Sequence, residues 1–216
     1  MGASRPTIRG VRRNSANGDV QGEMLEPSLA NNPLVRVGSI VAITAVSAKA
    51  GGVLLSAKLL AFLHVMCFGM WFGTLAWTST VFGVVAFRHL PRQMFGSLQS
   101  HLFPKYFAVT ASMPLLLIGT LYALSGGVPP MHEVRLLAIA AFTAVANIAV
   151  AEPRATEVMF ERYALEKAAP SERDEARISA LKKTFGKWHG ISSLLNLFNI
   201  VCAVGHAFYL AGLLGF

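Results

Sequence analysis

From about residue 56 onward the chain alternates long apolar runs with short charged stretches. Four runs stand out: Leu59–Phe87, Tyr106–Leu124, Val134–Ala151 and Gly190–Leu214. Each meets or approaches the roughly 20 mainly apolar residues needed to cross about 30 Å of hydrocarbon. Their interiors carry almost no charge, and none alternates polar with apolar as a barrel strand would. In lipid a helix satisfies every backbone N–H and C=O within itself, so each run is expected to be helical. The predicted fold class is an all-α membrane protein, a four-transmembrane-helix bundle over residues 56–216.

The polar positions inside these runs are patterned too. On the fourth run, His189, Ser192, Asn196, Asn199 and His206 fall within about a 100° sector of an ideal helix, while Leu194, Leu195, Phe198, Val201 and Leu213 occupy the other side. Polar groups aimed at lipid cost several kcal/mol each when unpaired, so this stripe is expected to face other helices or a hydrated cavity. Asn147 on the third run can meet it across the bundle. On the first run His64, Trp71, Leu75 and Thr78 share one face, and Gly69 and Gly73, spaced for close helix packing, share another. Two readings of the polar interior stand open: a static network that fixes helix register, or a pathway or site for a small solute.

The third run ends abruptly in Glu152, Pro153 and Arg154. On an ideal helix Glu152 points about 140° away from Asn147, whereas Arg154 stays on the side of Asn147. Arg154 is therefore expected to guard the mouth of the polar interior, with Glu152 turned to water and Pro153 acting as a membrane-edge hinge.

The connecting stretches add detail. After Pro91, Met94, Phe95, Leu98, Leu102 and Phe103 recur at helical spacing, which predicts a segment lying in the interface plane. Pro114 predicts a kink in the second span. Between the third and fourth runs acids and bases mix over good helix formers, predicting a solvated helix broken near Pro170 and a second one capped by Ser171.

Composition agrees with a single small membrane domain: 216 residues, 54% apolar, 14% charged, with mean hydropathy +0.52. The net charge of +8 does not gather into a stripe interleaved with aromatics, so nucleic acid is not an expected partner. Eleven of the bases in and after the first run lie in loops one and three, against Lys58 and Arg135 on the other side, so loops one and three are expected to face the cytoplasm or its organellar equivalent. The chain has no His-x-x-x-His, Glu-x-x-His or paired cysteines, no Gly-rich phosphate cradle and no nucleophile context. No metal, cofactor or enzymatic activity is expected. The expected partners are the lipid bilayer and a membrane-protein partner or a second copy of the chain.

Residues 1–55 differ from the rest. They carry four arginines before their first acid, Asp19, and later a short apolar run from Val37 to Val46 followed by Ala48, Lys49 and Ala50. A disordered extension or a targeting sequence fits this pattern. The expected location is a membrane, either mitochondrial or plastid if the extension is a presequence, or the endomembrane or plasma membrane otherwise.

The stretches "GMWFGTLAW", "FRHLPRQMFGSLQSHLFPKYF", "NIAVAEPRATEVM" and "FGKWHGISSLLNL", in this order, resemble the transmembrane protein 205 family, whose four-span domain has no agreed reaction. His64, Asn147, Glu152, Pro153, Arg154, His189, Gly190, Ser192, Ser193 and Asn196 match that family's signatures. The resemblance implies a multi-pass membrane protein linked to export or trafficking of a small solute or metal complex. A structural or assembly subunit of a larger complex is the alternative.

Overall fold

The computed structural model describes residues 34–35, 38–39, 42 and 56–214. The expectation for residues 1–55 therefore falls almost wholly outside the described residues. From Ser56 to Leu214 the chain is helical apart from short turns, and four helices are long and apolar enough to cross a membrane: α1 (Ala57–His89), α2 (Arg92–Leu124), α3 (Met131–Glu166) and α4 (Glu175–Leu213). The expected all-α four-helix membrane bundle is what forms.

Local chemistry sets the ends. Ser56 caps α1 by accepting from the Leu59 N–H at 3.3 Å. Leu90 turns extended before Pro91, as the residue ahead of a proline must, and α2 begins at once. At the other end of α2, the Gly127 N–H reaches back to the Tyr122 carbonyl at 2.9 Å. Gly126 and Gly127 take φ of 63° and 91°, which an L side chain resists, and Pro129–Pro130 then lead into α3.

The helices pack in order, α1 on α2, α2 on α3 and α3 on α4, with lighter contact between α1 and α4. Trp71, Leu75, Leu117 and Leu137 are fully buried, and so are Ala111, Ala140, Ala144 and Ala203. These alanines let backbones approach closely where no hydrophobic drive separates helix from lipid. Gly69 and Gly73 do not perform that task here: they face outward, and an added Cβ on either would meet nothing within 4 Å. Beside them Val65, Met66, Met70 and Phe72 are exposed, as a lipid-facing surface should be.

Two loop expectations are corrected, the in-plane segment and the Ser171 cap, while the helix break near Pro170 forms as expected. The stretch after Pro91 is no separate in-plane segment but the first turns of α2, which runs unbroken through Pro104 and Pro114. The third loop is mostly an extension of α3 to Glu166 packed against the start of α4, with a short 3₁₀ turn at Pro170–Glu172 between them. The cap of α4 is Asp174, accepting from the Arg177 N–H at 2.8 Å, not Ser171.

Two helices carry π segments, Trp77–Phe82 in α1 and Asn147–Ala151 in α3. In the second, the Glu152 N–H reaches the Asn147 carbonyl five residues back. Each π turn holds one residue more than an α turn and shifts everything after it by about 100°.

Candidate functional site

The π segment in α3 reverses the expectation at Glu152 and Arg154. Counting one inserted residue, Glu152 comes to about 40° from Asn147 and Arg154 to about 120° on the other side. Glu152 is indeed only 7% exposed and accepts from Thr156 Oγ1 at 2.7 Å. Arg154 lies on the surface, 3.4 Å from Glu157, and guards no interior. Pro153 sits in the first turn after the π segment, and the helix continues through it to Glu166, as a hinge within a continuous helix requires.

Around the bundle axis the remaining polar residues form three tiers. At the end formed by the α2–α3 turn, Thr120 Oγ1 lies 2.6 Å from His64 Nδ1, His64 Nε2 lies 3.1 Å from His206 Nε2, and His206 Nδ1 lies 2.8 Å from Glu133 Oε2. His64, His206 and Glu133 are buried, and Phe68, Trp71 and Tyr209 ring His206. His132 Nε2 approaches Glu133 Oε1 at 3.7 Å.

This row is satisfied by hydrogen bonds running in either direction. With Glu133 ionised, His206 Nδ1–H donates to it, His64 Nε2–H donates to His206, and Thr120 O–H donates to His64. With Glu133 protonated, every bond reverses and Thr120 donates instead to the Leu116 or Leu117 carbonyl, each 3.1 Å away. The two orders differ by one proton.

The middle tier is buried and closed on itself. Trp71 Nε1–H donates to Asn199 Oδ1 at 2.8 Å, and Asn199 Nδ2 donates to the Ala140 carbonyl at 2.7 Å and to Thr143 Oγ1 at 3.3 Å. Every polar atom of the Asn199 amide is thereby occupied.

The third tier opens into a cavity of about 840 Å³ at the end carrying loops one and three. Its polar floor is Asn196, which accepts from the Tyr106 hydroxyl at 2.7 Å and donates to Ser79 Oγ at 3.3 Å. His189 and Ser192 also line it, His189 stacked on Phe185 at 5.5 Å. Asn147 is wholly buried nearby, donating to the Ser192 carbonyl at 3.1 Å, while its Oδ1 has no partner. A side chamber of about 30 Å³ joins the same walls to Glu152.

The structure thus brings His64 and His206 together at one end, sets Asn199 in the middle, and gathers Asn147, His189, Ser192 and Asn196 about the cavity. It separates Arg154 from all of them. It adds Glu133, Thr120 and Tyr106, which the sequence did not place in the polar interior, and brings in Trp71 from the face it was expected to share with His64. Glu133 had a signal, since an acid at the very edge of an apolar span, in the first turn of its helix, needs a buried partner or an aqueous path. Thr120 and Tyr106 read as ordinary span residues.

Among the described residues no group of three or more His, Cys, Asp or Glu side chains is arranged to hold a metal ion. No solved structure matches the chain. Residues 66–164, which run from α1 into the extension of α3, are similar to a protein family described only as a domain of unknown function, DUF4149.

Proposed function

We propose that this multi-pass membrane protein moves a small solute between the cavity at its basic end and the opposite face, with the Glu133–His206–His64 row exchanging one proton. The observation that carries the reading is the alignment of a cavity with a polar column. Asn196 at the cavity floor, Asn199 below it and His206 at the far end lie on one helix, spread over about 15 Å at 1.5 Å per residue. A network meant only to fix register would need neither the cavity nor a row that is satisfied in two protonation orders.

The donor chemistry favours an organic solute over a bare metal ion. The resemblance to the transmembrane protein 205 family supports a role in export. The test is proteoliposomes loaded with a pH-sensitive dye and challenged with a panel of small carboxylates and neutral solutes. Wild-type protein should give solute-driven proton flux several-fold above that of Glu133→Gln and Asn196→Leu. Equal signals from all three would sink the reading.

One observation favours a second reading as an assembly subunit. Gly69 and Gly73 leave an open groove on the outer face of α1, of the kind into which a neighbouring helix fits. Gentle extraction in native lipid should then recover a stoichiometric partner, and a solitary monomer would count against it.

A further inference from the structure

The cavity has a chemical bias that narrows what it holds. Arg88, Arg92, Arg162 and Lys182 all line it, and among the described residues no Asp or Glu does. Arg92 is engaged by Glu166 Oε2 at 2.5 Å. Arg88 and Lys182 have no ion pair among the described residues.

Arg162 is the unusual member. It is 6% exposed, its guanidinium lies over the Tyr163 ring at 5.3 Å and the Phe185 ring at 5.5 Å, and its Nε has no hydrogen-bond partner. The nearest carboxylate oxygen, Glu166 Oε1, stands 3.5 Å from that Nε, and the other oxygen of Glu166 is already taken by Arg92. The 3.5 Å contact is an ion pair but not a hydrogen bond, so a buried donor on a fixed, always-charged fork is left open to a better-placed acceptor on a ligand. Two aromatic faces hold the fork in place, which lowers the entropy lost when two parallel bonds to an anion form.

The rest of the wall is apolar. Phe87, Phe95, Phe103 and Phe107 face the same space. A volume of about 840 Å³ lies within the range of roughly 300–1,000 Å³ typical of small-molecule sites. The geometry points to an amphipathic anion as the occupant: a carboxylate or phosphate head bidentate on Arg162, supported by Lys182 and Arg88, with an apolar body against the phenylalanines. This rests on reading the cavity as the solute site and names the class of solute.

Equilibrium binding of dodecyl phosphate to the purified full chain in phosphatidylcholine nanodiscs tests it, with dodecyltrimethylammonium and inorganic phosphate as companion probes. Saturable binding of dodecyl phosphate is expected, at least tenfold tighter than either companion. Arg162→Gln should weaken it tenfold or more, and Arg162→Lys should restore part of it. Should Arg162→Gln not fold, Lys182→Gln at the rim is expected to weaken binding several-fold. Equal binding of the alkylammonium would reduce the cavity to a grease trap, and equal binding of inorganic phosphate would remove the role of the apolar wall. Either result, or unchanged binding in both the Arg162→Gln and Lys182→Gln variants, overturns the assignment.

Adding phosphatidic acid to the nanodiscs separates the sources, and both outcomes uphold the shared chemistry. Competition assigns the anion to the membrane, and its absence assigns it to the aqueous phase. Binding needs no translocation, so tight anion binding without flux would defeat the transport reading and leave this one standing.

Discussion

The two ends of the bundle use the same four helices to opposite effect. At the α2–α3 turn the helices are regular, and Glu133, His206, His64 and Thr120 answer one another's hydrogen-bonding needs. At the basic end both π segments intervene, a cavity of about 840 Å³ opens, and Arg162 Nε and Asn147 Oδ1 are left without hydrogen-bond partners. One end closes its polar groups on one another. The other is incomplete until something enters. Buried polar groups in membranes are expensive, so a protein that leaves some unsatisfied has kept them for a ligand or for water.

Substitutions can break this contrast. The largest effect is expected from Glu133→Leu, which leaves the His206 Nδ1–H facing a hydrocarbon side chain. Equilibrium unfolding in mixed micelles should show a loss of about 2–3 kcal/mol, the cost of an orphaned buried polar group. Glu133→Gln keeps an acceptor and should cost less than about 1 kcal/mol. If Glu133→Leu is as stable as wild type, the closed end is not held by this row.

The matched pair Asn199→Leu and Asn196→Leu sharpens it. Asn199 is 2% exposed and fully engaged, and its loss orphans the Trp71 N–H, so about 1–2 kcal/mol and a shift in tryptophan emission are expected. Asn196 borders the cavity, where water can replace it, and should cost under about 0.5 kcal/mol. Equal losses would mean that the cavity floor is as closed as the middle tier.

Register around the π segment gives a third test by cysteine accessibility, after Cys67 and Cys202 are replaced. Arg154→Cys should react with a water-soluble maleimide at least tenfold faster than Glu152→Cys. Deleting Val150, which removes the inserted residue, should reverse that order. An order already reversed in the undeleted chain would restore the ideal-helix placement. The smallest effect is expected of Arg154→Ala itself: an exposed pair with Glu157 contributes little, so stability should stay within about 0.5 kcal/mol.

Much of this was legible before folding. The stripe from His189 to His206 follows from spacing alone, because a regular helix repeats its faces and polar groups in lipid must turn inward. The corrections have local causes. Arg154 and Glu152 exchanged places because of one π turn, and no propensity in "NIAVAEP" announces an extra residue. Gly69 and Gly73 met the packing pattern, yet buried alanines on α2, α3 and α4 supply the close approach. The extent of α2 was missed because Pro91 and Pro104 bracket a stretch that reads as a loop, although a helix can begin just after one proline and pass through the other.

By itself the sequence determined the number of spans, their helicity and which side of α4 is polar, because hydropathy and the 3.6-residue period are properties of one segment at a time. Only the tertiary structure decided which polar groups meet. That His64 finds His206, that Asn199 takes up Trp71, and that Arg162 lies over two rings with its Nε not hydrogen-bonded all depend on how separate helices are rotated against one another. Two π turns help set that rotation, and a count along the chain cannot see them.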